Sequence, residues 1–173
     1  MSMQTEHFMA TESEWVPNNP NFPVIIYRQI DMATSSSAIE TMFSSNGWTG
    51  IWRNGVFDYH HYHSGAHETL GIGRGHAKLQ IGGPDGPVVD VSERDCVILP
   101  AGTGHRNIES SPDFQVVGAY PPGQCVDIQR AAATSPMLAT IESLPKPNSD
   151  PVLGASGGLN DLWQPTNFDT TQR

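Results

Sequence analysis

The residues His61-Tyr62-His63-Ser64-Gly65-Ala66-His67-Glu68 place two histidines and a carboxylate close together in the chain. In a β-strand, residues i and i+2 lie on one face with Cα atoms roughly 6.6 Å apart, so His61 and His63 can lean onto one ion. Tyr62 then points to the other face. Gly65 lets the chain bend back, which directs Glu68 toward the same point.

A further histidine, His105, ends the stretch Leu99-Pro100-Ala101-Gly102-Thr103-Gly104-His105. Three imidazoles and one carboxylate form a ligand set for a divalent transition metal. The sequence therefore predicts a metal site made of His61, His63, Glu68 and His105, with Glu68 also the candidate catalytic residue. The lack of a thiolate argues against copper(I) and structural zinc, and leaves iron(II), manganese, nickel or catalytic zinc open.

Two neighbouring histidines are expected outside this set. Strand alternation turns His60 to the face opposite His61 and His63. His67 precedes Glu68 and should likewise point away, toward a carboxylate or carbonyl partner. If the turn after His63 bulges by one residue, His67 takes the place of Glu68.

The spacing around these ligands resembles the first signature motif of the cupin superfamily, which here runs from Gly55 through His61, His63 and Glu68 to Gly75. The second cupin motif is recognisable at Pro100, Gly102 and His105. It departs from the pattern at two turn or strand-end positions: Arg94 replaces its opening glycine and Glu109 its closing asparagine.

Beyond the motifs, the chain resembles the small single-domain cupins of the YjlB type from about Trp15 to Trp163. Four segments carry this likeness: Asn46-Gly47-Trp48, Trp52-Arg53-Asn54-Gly55, the stretch ending at His105, and Val117-Gly118-Ala119-Tyr120-Pro121-Pro122-Gly123. The resemblance implies an all-β fold, a double-stranded β-helix (jelly-roll) cupin barrel with one or two short peripheral helices. It also implies a homodimer, but it does not identify a substrate.

The pattern along the chain supports a single domain with three parts. Residues 1–23 read as an extended N-terminal arm, 24–144 as the cupin barrel and 145–173 as an irregular tail packed on the body through Leu162 and Trp163. Helices are predicted near 38–45 and 136–144, the second with Ser135 as its cap. Short alternating runs between glycine-rich turns predict strands at 24–27, 50–53, 57–63, 68–73, 75–81, 88–91, 96–99, 105–109 and 114–119.

The composition limits the classes of binding partner that the protein can have. A net charge of −9 without a basic cluster disfavours nucleic acid and anionic membrane surfaces. With no apolar stretch of membrane-span length and no secretory signal, a cytoplasmic protein with a small-molecule substrate is the expectation. Cys96, within an apolar run, is expected to be a small buried hydrophobe.

The sequence does not assign a role to several side chains near the motifs. Arg53 could pair with an anionic substrate or form a surface ion pair, and Lys78 and Arg106 are equally uncommitted. Tyr120 is a candidate for the cavity wall.

Three functions are compatible with the ligand set. The leading hypothesis is a metal-dependent enzyme of the cupin type with oxygenase-like redox chemistry. The alternatives are a non-redox metal-assisted isomerase, lyase or decarboxylase, and a non-catalytic metabolite-binding protein.

Overall fold

A computed structural model describes residues 2–164 of the chain, and within them nine β-strands form two antiparallel sheets. The larger sheet has the order β1-β2-β7-β4-β9-β3 and the smaller one β6-β5-β8. The jelly-roll class expected from the sequence is confirmed. The strands are β1 (Gln4–Phe8), β2 (Val24–Arg28), β3 (Thr49–Asn54), β4 (Glu68–Arg74), β5 (His76–Ile81), β6 (Val88–Ser92), β7 (Cys96–Leu99), β8 (His105–Ser110) and β9 (Gln115–Tyr120).

One hydrophobic core lies between the two sheets. On β5 every second residue is buried, at Ala77, Leu79 and Ile81. These side chains pack with inward residues of the larger sheet, such as Ile26 and Leu70. Alternation along a strand places these residues on one face, which is why the period-two pattern of the sequence located this core.

A second core covers the outer face of the larger sheet. There Ile25 and Tyr27 of β2 pack with Ile39 and Phe43 of helix α1 (Ser36–Ser45). Because β2 and β7 bury both faces, they appear in the sequence as continuous apolar runs.

The helices begin slightly earlier than the sequence pattern predicts. In α1 the Ser35 side chain accepts a hydrogen bond from the Ala38 backbone N–H, so the helix starts at Ser36. Helix α2 (Ser135–Ser143) is capped by Thr134, not by Ser135. Ile141 of α2 is buried, whereas Leu138 is exposed. A short α3 (Leu159–Leu162) follows.

The predicted strand at 57–63 is wrong as a regular strand. His61 pairs with His105, while Tyr62 pairs on its other side with Gln129, each as an isolated bridge. Because His61 and Tyr62 pair with different segments, neither pairing extends into a regular strand.

Within the described residues, segments near both termini pack against the larger sheet. Within the predicted N-terminal arm, β1 pairs with β2. In the tail, Trp163 is fully buried, stacks on Phe22 with ring centroids 4.8 Å apart, and donates from its indole N–H to the Pro23 carbonyl at 2.8 Å. The predicted tail extends to residue 173, and its last part, 165–173, lies outside the described residues. Within 2–164, none of the helices is long and apolar enough to cross a membrane.

Candidate metal centre

Three imidazoles converge at one end of the sandwich. His105 opens β8, and its backbone N–H and C=O bond with those of His61 at 3.0 and 3.2 Å. His63 follows two residues after His61. All three side chains are buried, and one potential ligand atom from each lies within 4.8 Å of the others.

Each imidazole is held by a backbone carbonyl through Nδ1. His61 Nδ1 donates to the Tyr59 carbonyl at 3.0 Å, His105 Nδ1 donates to the Thr103 carbonyl at 3.0 Å, and His63 Nδ1 donates to the Asp127 carbonyl. Because a carbonyl can only accept, the proton of each neutral ring belongs on Nδ1. The Nε2 lone pairs are then free, as in histidines that ligate metals.

Glu68 opens β4 and supplies an oxygen to the same point. It is 3% exposed, and its Oε1 lies 3.2 Å from Nε2 of His63 and 3.2 Å from Nε2 of His105. Neither His63 Nε2 nor Glu68 Oε1 has a hydrogen-bond partner of acceptable geometry.

These unpartnered atoms fit a bound cation. A free imidazole nitrogen and a carboxylate oxygen are both acceptors, so their close approach needs a proton or a metal cation between them. Ligands about 2.1 Å from one ion lie roughly 3.0 Å apart in octahedral and roughly 3.4 Å apart in tetrahedral coordination, a range that brackets the separations at Glu68.

The electrostatics of the cluster follow from burial and from Glu68. Burial lowers the pKa of His61 to about 3, and the neighbouring His105 ring adds to this effect. Burial also lowers the pKa of His63, but the negative charge of Glu68 3.2 Å away outweighs this effect and raises it to about 9, so that without a metal His63 binds a proton that a bound cation would replace. Burial raises the pKa of Glu68, whereas the neighbouring His63 and His105 hold it well below its usual range. The cluster thus keeps an anionic oxygen beside imidazole nitrogens.

A cavity of about 300 Å³ opens above the cluster. Its wall includes Trp52, whose indole N–H donates to the Tyr120 hydroxyl at 2.8 Å. Gly118 makes this possible, because a Cβ there would overlap the Trp52 ring. Burial and the nearby charge of Glu68 raise the pKa of Tyr120, so its hydroxyl stays protonated. The lining residues are Trp52, Asn54, Gly55, Val56, Phe57, His61, His63, Glu68, Leu70, His105, Tyr120, Val126 and Ile128.

A segment after β9, residues 125–129, closes one side of the site; we call it the strap. The Asp127 carboxylate accepts hydrogen bonds from the backbone N–H groups of Ser64 and Gly65, both at 2.9 Å, from the Ser64 hydroxyl, and from the Gln129 side-chain amide at 2.9 Å. The strap therefore fixes the position of the carbonyl that orients His63.

The structure brings the four predicted ligand residues together and places the neighbouring histidines elsewhere. The His67 ring accepts a hydrogen bond from Ala101 N–H at Nδ1 and donates from Nε2 to the Pro145 carbonyl. His60 is half-buried and is not part of the cavity wall. Arg53 forms an ion pair with Glu40 at 2.7 Å.

Sequence reasoning missed the strap. An acidic residue such as Asp127 in a polar loop carries no local signal of its role, since its partners lie 62 and 63 positions earlier in the chain. Val126 and Ile128, apolar and alternating around Asp127, were the available hint that this loop faces a cavity.

Fold and site together define a two-sheet jelly-roll protein with a buried histidine cluster that could bind a metal ion. In comparisons with known proteins, no family model matches the chain. The chain is 34% identical over 165 residues to "Uncharacterized protein YjlB" of Bacillus subtilis (strain 168), covering 94% of this chain and 99% of that protein. The chain therefore belongs to the YjlB family.

Proposed function

We propose that this protein is a cupin-type metalloenzyme that binds one divalent transition metal through His61, His63, Glu68 and His105 and acts on a small organic molecule. The convergence of three carbonyl-held imidazoles on a buried carboxylate carries the proposal. The two unpartnered atoms at this point, His63 Nε2 and Glu68 Oε1, support it.

The chain's own residues prepare the site to hold a metal ion and a substrate. The carbonyls of Tyr59, Thr103 and Asp127 bind the Nδ1 side of each ring and so aim the Nε2 atoms inward. Glu68 offsets part of the charge of a divalent ion, and Tyr120 presents a hydroxyl to the cavity. When bound, such an ion supplies open positions for substrate and O₂, or a Lewis acid that stabilises negative charge on substrate.

Metal content tests the proposal directly. We expect the protein purified from its own host to contain about one iron, manganese, nickel or zinc ion per chain by elemental analysis. We expect Glu68→Gln, which keeps the shape of the side chain but removes its charge, to lower metal affinity. Metal-free protein whose melting temperature is unchanged by all four ions would reject the proposal.

We favour oxygenase-like redox chemistry because four protein ligands on an ion that accepts six leave room for O₂ beside a substrate. Oxygen consumption coupled to substrate loss is the expected result. Turnover that continues under strict anaerobiosis would instead assign the non-redox alternative, a metal-assisted isomerase, lyase or decarboxylase.

Catalysis itself is tested with Glu68→Gln and His63→Ala. In an enzyme these changes abolish turnover. If they only lower the melting temperature of a protein that turns over nothing, the metal is structural and the protein is a metabolite binder.

A further inference from the structure

The cavity above the histidine cluster combines a polar floor with apolar walls. The floor consists of the three imidazoles and Glu68, and the walls include Trp52, Val56 and Leu70. At the mouth lie Phe57 and Ile128, 45% and 52% exposed. Apolar side chains left open at the entrance of a cavity are available to contact a bound molecule.

The walls offer little to a polar ligand. The indole N–H of Trp52 is already bonded to the Tyr120 hydroxyl, which leaves that hydroxyl and the Asn54 amide as the main polar groups above the floor. A sugar or nucleotide would lose the water bound to several hydroxyl groups and gain few partners, at about 1–3 kcal/mol for each group left unpaired.

Positive charge is also missing from the walls. Among residues 2–164, no lysine or arginine lines the cavity. The three cations that the sequence left uncommitted have partners elsewhere: Arg53 pairs with Glu40, Lys78 with Asp90, and Arg106 donates to Gln80. An anionic group on a ligand therefore has the metal ion as its counter-charge.

From these features, and resting on the proposed metal site, we propose that the substrate is a small, mainly apolar molecule with a single anionic oxygen group, which binds the metal while the apolar body contacts Trp52, Phe57, Val126 and Ile128. The volume of about 300 Å³ lies at the lower end for ligand sites, which limits the body to about the size of one ring.

Cobalt(II) gives a readout that does not depend on turnover. The protein is loaded with cobalt, loading is verified by elemental analysis, and the visible absorption spectrum is followed while benzoate, acetate or gluconate is added. Benzoate and acetate share the carboxylate, and gluconate adds hydroxyl groups to it. We expect benzoate to change the spectrum with an affinity at least roughly tenfold higher than acetate, and gluconate to bind no better than acetate.

A matched pair of variants locates the apolar contact. Ile128→Ser at the mouth should weaken benzoate binding roughly threefold and leave acetate binding unchanged. Leu138→Ser, at a residue 46% exposed on α2 and outside the cavity wall, should change neither. Because Ile128 is already half-exposed, its substitution should not prevent folding.

The outcomes separate the two proposals. Failure to take up cobalt overturns the metal site, and this inference falls with it. Uptake of cobalt with equal affinity for benzoate and acetate, or with tighter binding of gluconate, overturns the apolar substrate class and leaves the metal site standing. Benzoate binding that is unchanged in Ile128→Ser, or that falls no more than acetate binding does, would show that the apolar body does not bind against Ile128.

Discussion

The histidines of this chain show how one residue type takes different roles from its hydrogen bonds. His61, His63 and His105 each donate from Nδ1 to a carbonyl and keep Nε2 free. His67 uses both ring nitrogens within the protein, one as acceptor and one as donor. A ring with both nitrogens occupied cannot ligate a metal.

His105→Ala and His60→Ala form a matched pair for the metal site. We expect His105→Ala to lower the affinity for manganese or zinc by more than the roughly tenfold to hundredfold typical of losing a ligand's hydrogen-bond partner. His60 lies outside the cavity wall, so His60→Ala should change affinity little. Isothermal titration of the metal-free variants measures both, and equal losses would contradict the proposed ligand set.

His67 should make stability depend on pH. Burial lowers its folded pKa to about 4, against the opposing effect of the Pro145 carbonyl. The unfolded chain then binds the proton more readily, so the free energy of unfolding falls as pH drops from about 6.5 toward about 4. The full effect is about 3 kcal/mol.

The measurement compares wild type with His67→Asn, whose side chain does not titrate, by urea unfolding of metal-free protein. At neutral pH wild type should be the more stable, and the difference should shrink as pH falls toward about 4.5. A difference that is the same at every pH would show that His67 is not the titrating group.

At the scale of elements, the site depends on a segment that is neither helix nor strand. The strap pairs with the metal-site segment through Tyr62 and Gln129, and the Asp127 carboxylate takes four hydrogen bonds. Regular strands supply Glu68 and His105, while the strap orients His63 and adds Val126 and Ile128 to the cavity wall.

Asp127→Asn tests the strap as a positioning element. The amide keeps one acceptor oxygen but sets an N–H₂ group against the Ser64 and Gln129 donors, so His63 should lose its fixed orientation. We expect roughly a tenfold loss of metal affinity with an altered cobalt(II) spectrum.

The control for this variant is Asp90→Asn, which removes an exposed ion pair between Asp90 on β6 and Lys78 on β5. It should leave both the affinity and the spectrum unchanged. An Asp127→Asn protein that is less stable but has wild-type metal affinity and spectrum would limit the strap to a structural role.

At the scale of the whole molecule, the segment from Asp150 to Trp163 packs against residues near the start of the larger sheet. Asp150 is fully buried and accepts hydrogen bonds from the Tyr27 hydroxyl at 2.5 Å and from the Leu159 backbone N–H at 2.9 Å. Together with Trp163 on Phe22, these contacts make residues 150–163 part of the core on the outer face of the larger sheet.

Trp163→Ala should therefore cost about 3–5 kcal/mol in the free energy of unfolding, because it leaves a large cavity and an unpaired Pro23 carbonyl. Leu153→Ala, at an exposed tail residue, is the control and should cost less than about 0.5 kcal/mol. Urea unfolding monitored by circular dichroism measures both. A loss below about 1 kcal/mol for Trp163→Ala would show that the tail packs loosely.

The sequence by itself determined the class of fold and the residues of the candidate site. Period-two alternation and glycine-rich turns predict strands because the identity of neighbouring residues reports which face of a strand is buried. The ligand types and their spacing predicted where three imidazoles and Glu68 would meet.

Only the tertiary structure decided which segments complete the site. The strap, the engagement of Arg53 with Glu40 and the burial of Trp163 all depend on residues far apart in the chain. Such contacts leave no local periodicity, because an aspartate in a loop has the same neighbours in sequence whether it faces water or holds a ligand in place.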